Sequence, residues 1–359
     1  MTIKLIKYYF LVLTGLMFYS CGEKLDLSQF PITNGGTDTT FSDTTYVQQS
    51  PDFTGFNQPE DIIVGNEPLL YISDTKNNRV VQMDISGGQI GQLYFLNPRS
   101  LAQDRNFDLL VIADSVTSLN DTINVVYRVK LVQAGGIITF AEKIPLFSSD
   151  HPTPISSRRR KFSGVSTYND NSLLISRIGP DNTSLIDPDN AIIKVLGNNS
   201  LQSYEIYSGF QTAGNGIYSI NQTSSLKTIT NSNPNFIFTR NTEDFGFKVQ
   251  WFEYDNVNGT FDPKFSPETN ADIVRLQLGT PQDVTLDNNQ NVYVIDSQRD
   301  SLYKFSNSGR LRSESFGGPG SGVNKLNSPK SVAWFNKVLY IADTGNNRIV
   351  RFKLSTDLN

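Results

Sequence analysis

A fourteen-residue phrase occurs near both ends of this chain: LYISDTKNNRVVQM at 70–83 and LYIADTGNNRIVRF at 339–352. In each copy an apolar run ends in a small residue and an aspartate. An Asn-Asn-Arg turn follows, and a second apolar run carries one polar residue. Four looser copies keep the register: LVIAD with VYRV, LLISR with IIKV, FIFTR with KVQW, and VYVID with LYKF. A third short strand precedes each pair. Four of these open with proline, at Pro59, Pro98, Pro281 and Pro329, and the other two are expected near Ser163 and Asn215. Repetition of one short-strand unit predicts a radial or stacked β architecture. The middle strands are continuously apolar, which suits sheets buried on both faces. A β-propeller of four-stranded blades satisfies both demands, so six blades are expected.

The residues that carry the repeat also carry a resemblance. GGPGSGVNKLNSPKSVAWFNKVLYIADTGNNRIVRF resembles the NHL repeat, and FNQPEDIIVGNEPLLYISDTKNNRVVQM is similar. The resemblance implies a six-bladed propeller over residues 42–359. The last copy ends after its third strand, so its outer strand must come from elsewhere. TTYVQQ, at 44–49, is rich in β-favouring residues and stands where a preceding blade's outer strand would be. It is expected to complete the last blade and close the ring. Asp74 with Arg79, Asp343 with Arg348 and Asp296 with Arg299 are expected to shape turns, because aspartate and asparagine bond nearby backbone N–H groups.

The first twenty residues have lysines at 4 and 7, then a short apolar run, then Ser20 and Cys21. This reads as a secretory signal, with an apolar run too short to span a bilayer comfortably. Cys21 is the only cysteine, so no internal disulfide forms, and FYSC resembles a bacterial lipobox. The expectation is a lipidated Cys21, a flexible tether over 21–41, and an outer-membrane lipoprotein of a bacterial envelope, periplasmic or surface-exposed. The chain holds 31 basic and 35 acidic residues, and the leader contains two of the lysines and no acid. The remainder is mildly acidic, which argues against nucleic acid as a partner.

Candidate site residues fall on one face. In an up-and-down blade, the loop leading into the inner strand and the loop between the two middle strands share a rim. The inner strands are expected to start at Glu60, Arg99, Ser163, Asn215, Gln282 and Lys330, six polar residues around a channel mouth. Arg158, Arg159 and Arg160 lie just ahead of the third blade, and Arg177 and Arg240 replace the turn aspartate in blades three and four. Together they suggest an anionic partner: a protein in an envelope complex, or an acidic glycan. The segment at 221–235 is expected to project as a loop from the opposite face. A single histidine, His151, supplies neither a zinc site nor a Ser-His-Asp arrangement. Arg99 and Lys330 in the mouth work against a divalent ion there. The expectation is therefore a binding or assembly module without cofactor or metal. The alternatives are a calcium-dependent lactonase-like hydrolase and a glycan-binding surface lipoprotein.

Overall fold

The computed structural model describes residues 44–151, 159–180, 182–184, 186–229, 234–243 and 246–358. The expected leader and tether, Cys21 and Arg158 lie outside the described residues. Six four-stranded antiparallel sheets form an all-β six-bladed propeller. Blade 1 consists of Pro59–Val64, Leu70–Asp74, Arg79–Met83 and Gln89–Tyr94 from the axis outward. The remaining inner strands are Leu96–Gln103, Lys161–Thr167, Thr223–Thr228, Pro281–Leu286 and Ser331–Phe335. The ring closes as the sequence predicts. Tyr46–Phe53 is the outermost strand of blade 6 and pairs with Arg348–Leu354, Tyr46 opposite Leu354 and Gln49 opposite Arg351.

The continuous apolar runs follow from a core divided into wedges between neighbouring blades. Leu70 and Ile72 pack with Tyr340 and Ala342 of blade 6, while Tyr71 between them packs with Leu109 and Val111 of blade 2. In blade 6, Leu339 and Ile341 face Tyr293 and Ile295 of blade 5. Side chains alternate across a strand, so a strand sandwiched between two blades must be apolar at every position. Each fully buried Leu, Ile or Val contributes about 1.5–3 kcal/mol.

The repeated phrase is a clip between blades. The buried Asp74 accepts hydrogen bonds from Asn57 N (2.7 Å), Asn77 Nδ2 (2.9 Å) and Arg79 Nε (2.6 Å), all within its own blade. Thr75 and Asn78 reach outward. Thr75 Oγ1 donates to Pro98 O at 2.6 Å, and Asn78 Oδ1 accepts from Asn97 N at 2.9 Å. Asn78 adopts φ 52°, a left-handed conformation that asparagine tolerates. Blade 6 repeats the arrangement: Thr344 Oγ1 donates to Pro59 O at 2.6 Å, and Asn347 Oδ1 accepts from Gln58 N at 2.8 Å. The two ends of the sequence share a phrase because the last blade grips the first as the first grips the second.

Blade 4 departs from expectation. Its inner strand is Thr223–Thr228, TSSLKT, so 221–235 is not a loop projecting from the opposite face. Asn215 lies ahead of that strand. The register places Ser224 where the sequence reading put Asn215, because Thr223 pairs with Arg240 and Ser225 with Thr239. TSSLKT has one large aliphatic residue and lacks the opening proline, so it carries little strand signal.

Candidate functional site

The inner strands run from an upper rim, where the chain approaches the axis, to a lower rim. Five of the six start on an irregularity, and the strand of blade 6 pairs regularly from Ser331. In blade 1, Pro59 pairs with Asp74 and Asp61 with Ser73, leaving Glu60 as an extra residue. Ser163, Ser224 and Gln282 occupy the same slot, and Arg99 lies within a wider slip between Leu96 and Ser100. A bulge re-aims its side chain, and this one sets a polar ring at the upper mouth. Much of the ring is engaged. Ser163 Oγ lies 2.8 Å from Ser176 Oγ, Ser224 Oγ donates to Pro281 O at 2.7 Å, and Lys330 Nζ donates to Gln282 Oε1 at 3.0 Å. Arg99 is half-buried, and its Nε makes no hydrogen bond among the described residues.

The basic rim takes a different form from the one the sequence suggested. Arg160 and Arg177 are each 1 % exposed, and Arg240 is fully buried. Arg160 Nε contacts Asp189 Oδ1 at 2.7 Å and its Nη1 contacts Asp187 Oδ2 at 2.8 Å. Arg177 Nη2 contacts Asp187 Oδ1 at 2.7 Å. Arg240 donates to Asn221 O at 3.0 Å, to Gly214 O at 2.9 Å and to the Asn221 side chain. These three arginines are internal ties, not a surface for an anionic partner. In blade 3 the turn clip keeps its charges with the roles exchanged: the strand supplies arginine and the following loop supplies the aspartates. Of the basic loop, Arg159 is exposed.

One residue further along, five of the six inner strands contribute to a second polar layer. The inner edge of each blade has backbone N–H groups without a strand partner, and these need acceptors. Side chains of the preceding blade provide them. Asp61 Oδ2 accepts from Leu101 N at 2.6 Å, Ser100 Oγ from Val165 N at 3.2 Å, Asp283 Oδ2 from Val332 N at 3.0 Å, and Ser331 Oγ from Ile62 N at 3.2 Å. Gly164 takes the equivalent position in blade 3, where a Cβ would stand 3.0 Å from Leu226 N. Ser331 Oγ also lies 2.6 Å from Asp61 Oδ1 and 2.7 Å from Asp283 Oδ2. A hydroxyl has one proton, so it can donate to only one of the two carboxyl groups. A proton on the other relieves the clash of lone pairs. Burial, with the Asp283 charge adding to it, pushes Asp61 up to about 6.

Below this layer the channel widens into a cavity of about 680 Å³. Its walls begin at Ile62, Leu101, Val165 and Val332, each one residue past the polar layer, and end at the lower rim at Trp334 and the 288–290 turn. Lys227, from the overlooked inner strand, lines it and is half-buried. Burial alone would pull the Lys227 ammonium down, but the carboxylates of Asp283 and Asp61 outweigh that and hold it above the ordinary lysine value. One arc of the wall, from blades 1 to 3, is aliphatic or already bonded: Gln103, for example, accepts from Asn66 N at 2.6 Å. The other arc differs. Among the described residues, the side chains of Lys227, Thr285, Asn288, Asn289 and Gln290 make no hydrogen bond. Among the described residues, no group of three or more His, Cys, Asp or Glu side chains is placed to hold a metal ion.

Comparison with known proteins bears on the fold. No protein-family model matches the chain, and no curated protein matches its sequence. Solved structures do match. An auxiliary nutrient binding protein from Bacteroides thetaiotaomicron is 11% identical with a TM-score of 0.58, covering 87% of this chain and 76% of its own. A protein of unknown function from the same organism is 13% identical with a TM-score of 0.57, covering 87% and 77%. A putative gluconolactonase is 11% identical with a TM-score of 0.55, covering 88% and 93%. At such identities the likeness is one of architecture, and binding proteins and enzymes share it.

Proposed function

We propose that this chain is a lipid-anchored, extracytoplasmic binding module that holds a small polar ligand in the lower axial cavity. The observation that carries the reading is the cavity itself: about 680 Å³, open at the lower rim and lined by all six inner strands, with polar side chains that make no hydrogen bond among the described residues gathered on one arc. Ligand pockets of about 300–1,000 Å³ with a few convergent polar groups are the usual form of a small-molecule site. The anchor rests on Cys21 and the leader that precedes it. Cys21→Ser should release the protein from the membrane fraction. For the cavity, a thermal-shift screen should find compounds that raise the Tm of the wild type but not of Thr285→Trp, whose new side chain intrudes into the space beside the polar arc. Equal shifts in both proteins would place the ligand elsewhere.

A second reading puts an anionic group at the upper mouth. It is favoured by the buried Arg99 Nε, which meets no acceptor among the described residues, and by Lys330 in the same ring, on the far side of Glu60 of blade 1. Charge-assisted hydrogen bonds are worth roughly 1.5–3 kcal/mol. Arg99→Ala with Lys330→Ala should then weaken an anionic partner at least tenfold, and unchanged affinity would remove this reading.

A further inference from the structure

We infer that the lower cavity takes a neutral, polyhydroxylated ligand of one or two sugar rings. This deepens the reading of the cavity as the binding site and rests on it. The unbonded arc combines three kinds of group. Asn288, Asn289 and Gln290 present carboxamides, each able to donate and accept, which matches vicinal hydroxyls that do both. Lys227 and Thr285 add donors deeper in the wall. Trp334 stands next in the ring, half-buried, with part of its side chain against the core between blades 5 and 6 and part on the cavity wall. An indole face is electron-rich and attracts the slightly positive C–H face of a sugar ring. The five polar groups and the indole come from blades 4, 5 and 6, so a flat ring can lie on one and reach the others.

The charge of the site decides between neutral and acidic sugars. Lys227 is the cavity's one cation among the described residues, and it already neutralises Asp283 and Asp61 above it. Asp287 also lines the cavity, so with both upper carboxyl groups ionised the four charges sum to −2, and with Asp61 protonated to −1. Neither state attracts a uronate or a sugar phosphate. The ammonium instead serves as a strong donor to a hydroxyl oxygen.

Titration of the intact protein with neutral mono- and disaccharides, uronic acids and sugar phosphates, read by calorimetry and tryptophan emission, tests this. The chain has two tryptophans, and Trp251 is buried in the core between blades 4 and 5, so an emission change reports Trp334. A neutral saccharide should bind at least tenfold more tightly than its uronate or phosphate. Trp334→Ala and Lys227→Met should each weaken it at least tenfold, and the melting temperature of each variant checks that it folds. Tighter binding of acidic sugars, lost in Trp334→Ala, would overturn the neutral class while the cavity stands as the site. Neutral saccharides bound equally by both variants would overturn the placement. Failure of every saccharide, alongside a screening hit that Thr285→Trp abolishes, would overturn the sugar and leave the cavity as the site. Failure of both would overturn the two together.

Discussion

The two ends of the axial channel are built from the same six strands and use polar residues in opposite ways. At the upper end, polar side chains hold blades to blades: Asp61, Asp283 and Ser331 bond one another and the inner-edge amides of the next blade. At the lower end, the side chains of Lys227, Thr285, Asn288, Asn289 and Gln290 make no hydrogen bond among the described residues. Side chains committed to cohesion are expensive to lose and of little use to a ligand, whereas uncommitted ones are the reverse. Polarity alone therefore does not locate a site. What matters is whether the polar group has already found a partner.

The comparison breaks first at the upper rim. Asp343→Ala leaves the amide of Asn327 and the Nε of Arg348, both held by that carboxylate at 2.7 Å, without that acceptor, although the other Arg348 nitrogens keep Asp52 and the Lys325 carbonyl. The expected cost is about 3 kcal/mol, read as a lower denaturant midpoint with an unchanged slope. A change below 1 kcal/mol would show that the carboxylate is not what fixes the turn from which Thr344 and Asn347 reach blade 1.

A comparable effect is expected in the polar layer, and it depends on pH. Asp61 is raised from 3.8 to about 6, so the folded state binds more protons than the unfolded state between those values. Its contribution is present below about pH 4 and is lost as pH rises through 6, amounting to on the order of 3 kcal/mol. Asp61→Asn should flatten the fall in Tm between pH 4 and pH 7. An equal slope in the variant would assign the decline to other groups.

The smallest effect sharpens the contrast. Asn289→Ala should change stability by no more than about 0.5 kcal/mol, as expected of a side chain with no protein partner. A loss comparable to that of Asp343→Ala would mean the lower rim is structural too.

The fold was legible because its signals are local and repeated. Continuous apolar runs, Asp-Asn turns and opening prolines each report a strand or its boundary, and the blade count follows from their number. Five of the six inner strands start within two residues of the openings that local signals marked, at Pro59, Pro98, Ser163, Pro281 and Pro329. The sixth failed in blade 4, where TSSLKT resembles a polar loop, and with it Lys227 was lost from view. The basic residues misled for a different reason. Nothing local shows that Asp187 and Asp189 fold back onto Arg160 and Arg177, since a pairing between a loop insertion and a strand is set by tertiary geometry. The cavity itself was invisible, because it belongs to no single repeat.

The pairing of Tyr46–Phe53 with Arg348–Leu354 also sets an order in time. Arg351 bonds the Pro51 carbonyl across a separation of 300 residues. At about 5–20 residues per second of synthesis, the first strand waits on the order of 15 to 60 s for its partner to exist. Throughout that interval it is an unpaired edge with a β-favouring sequence, the kind of segment that joins other chains. The ring that shields every blade when complete thus leaves its opening strand in need of a guardian while the chain is being made.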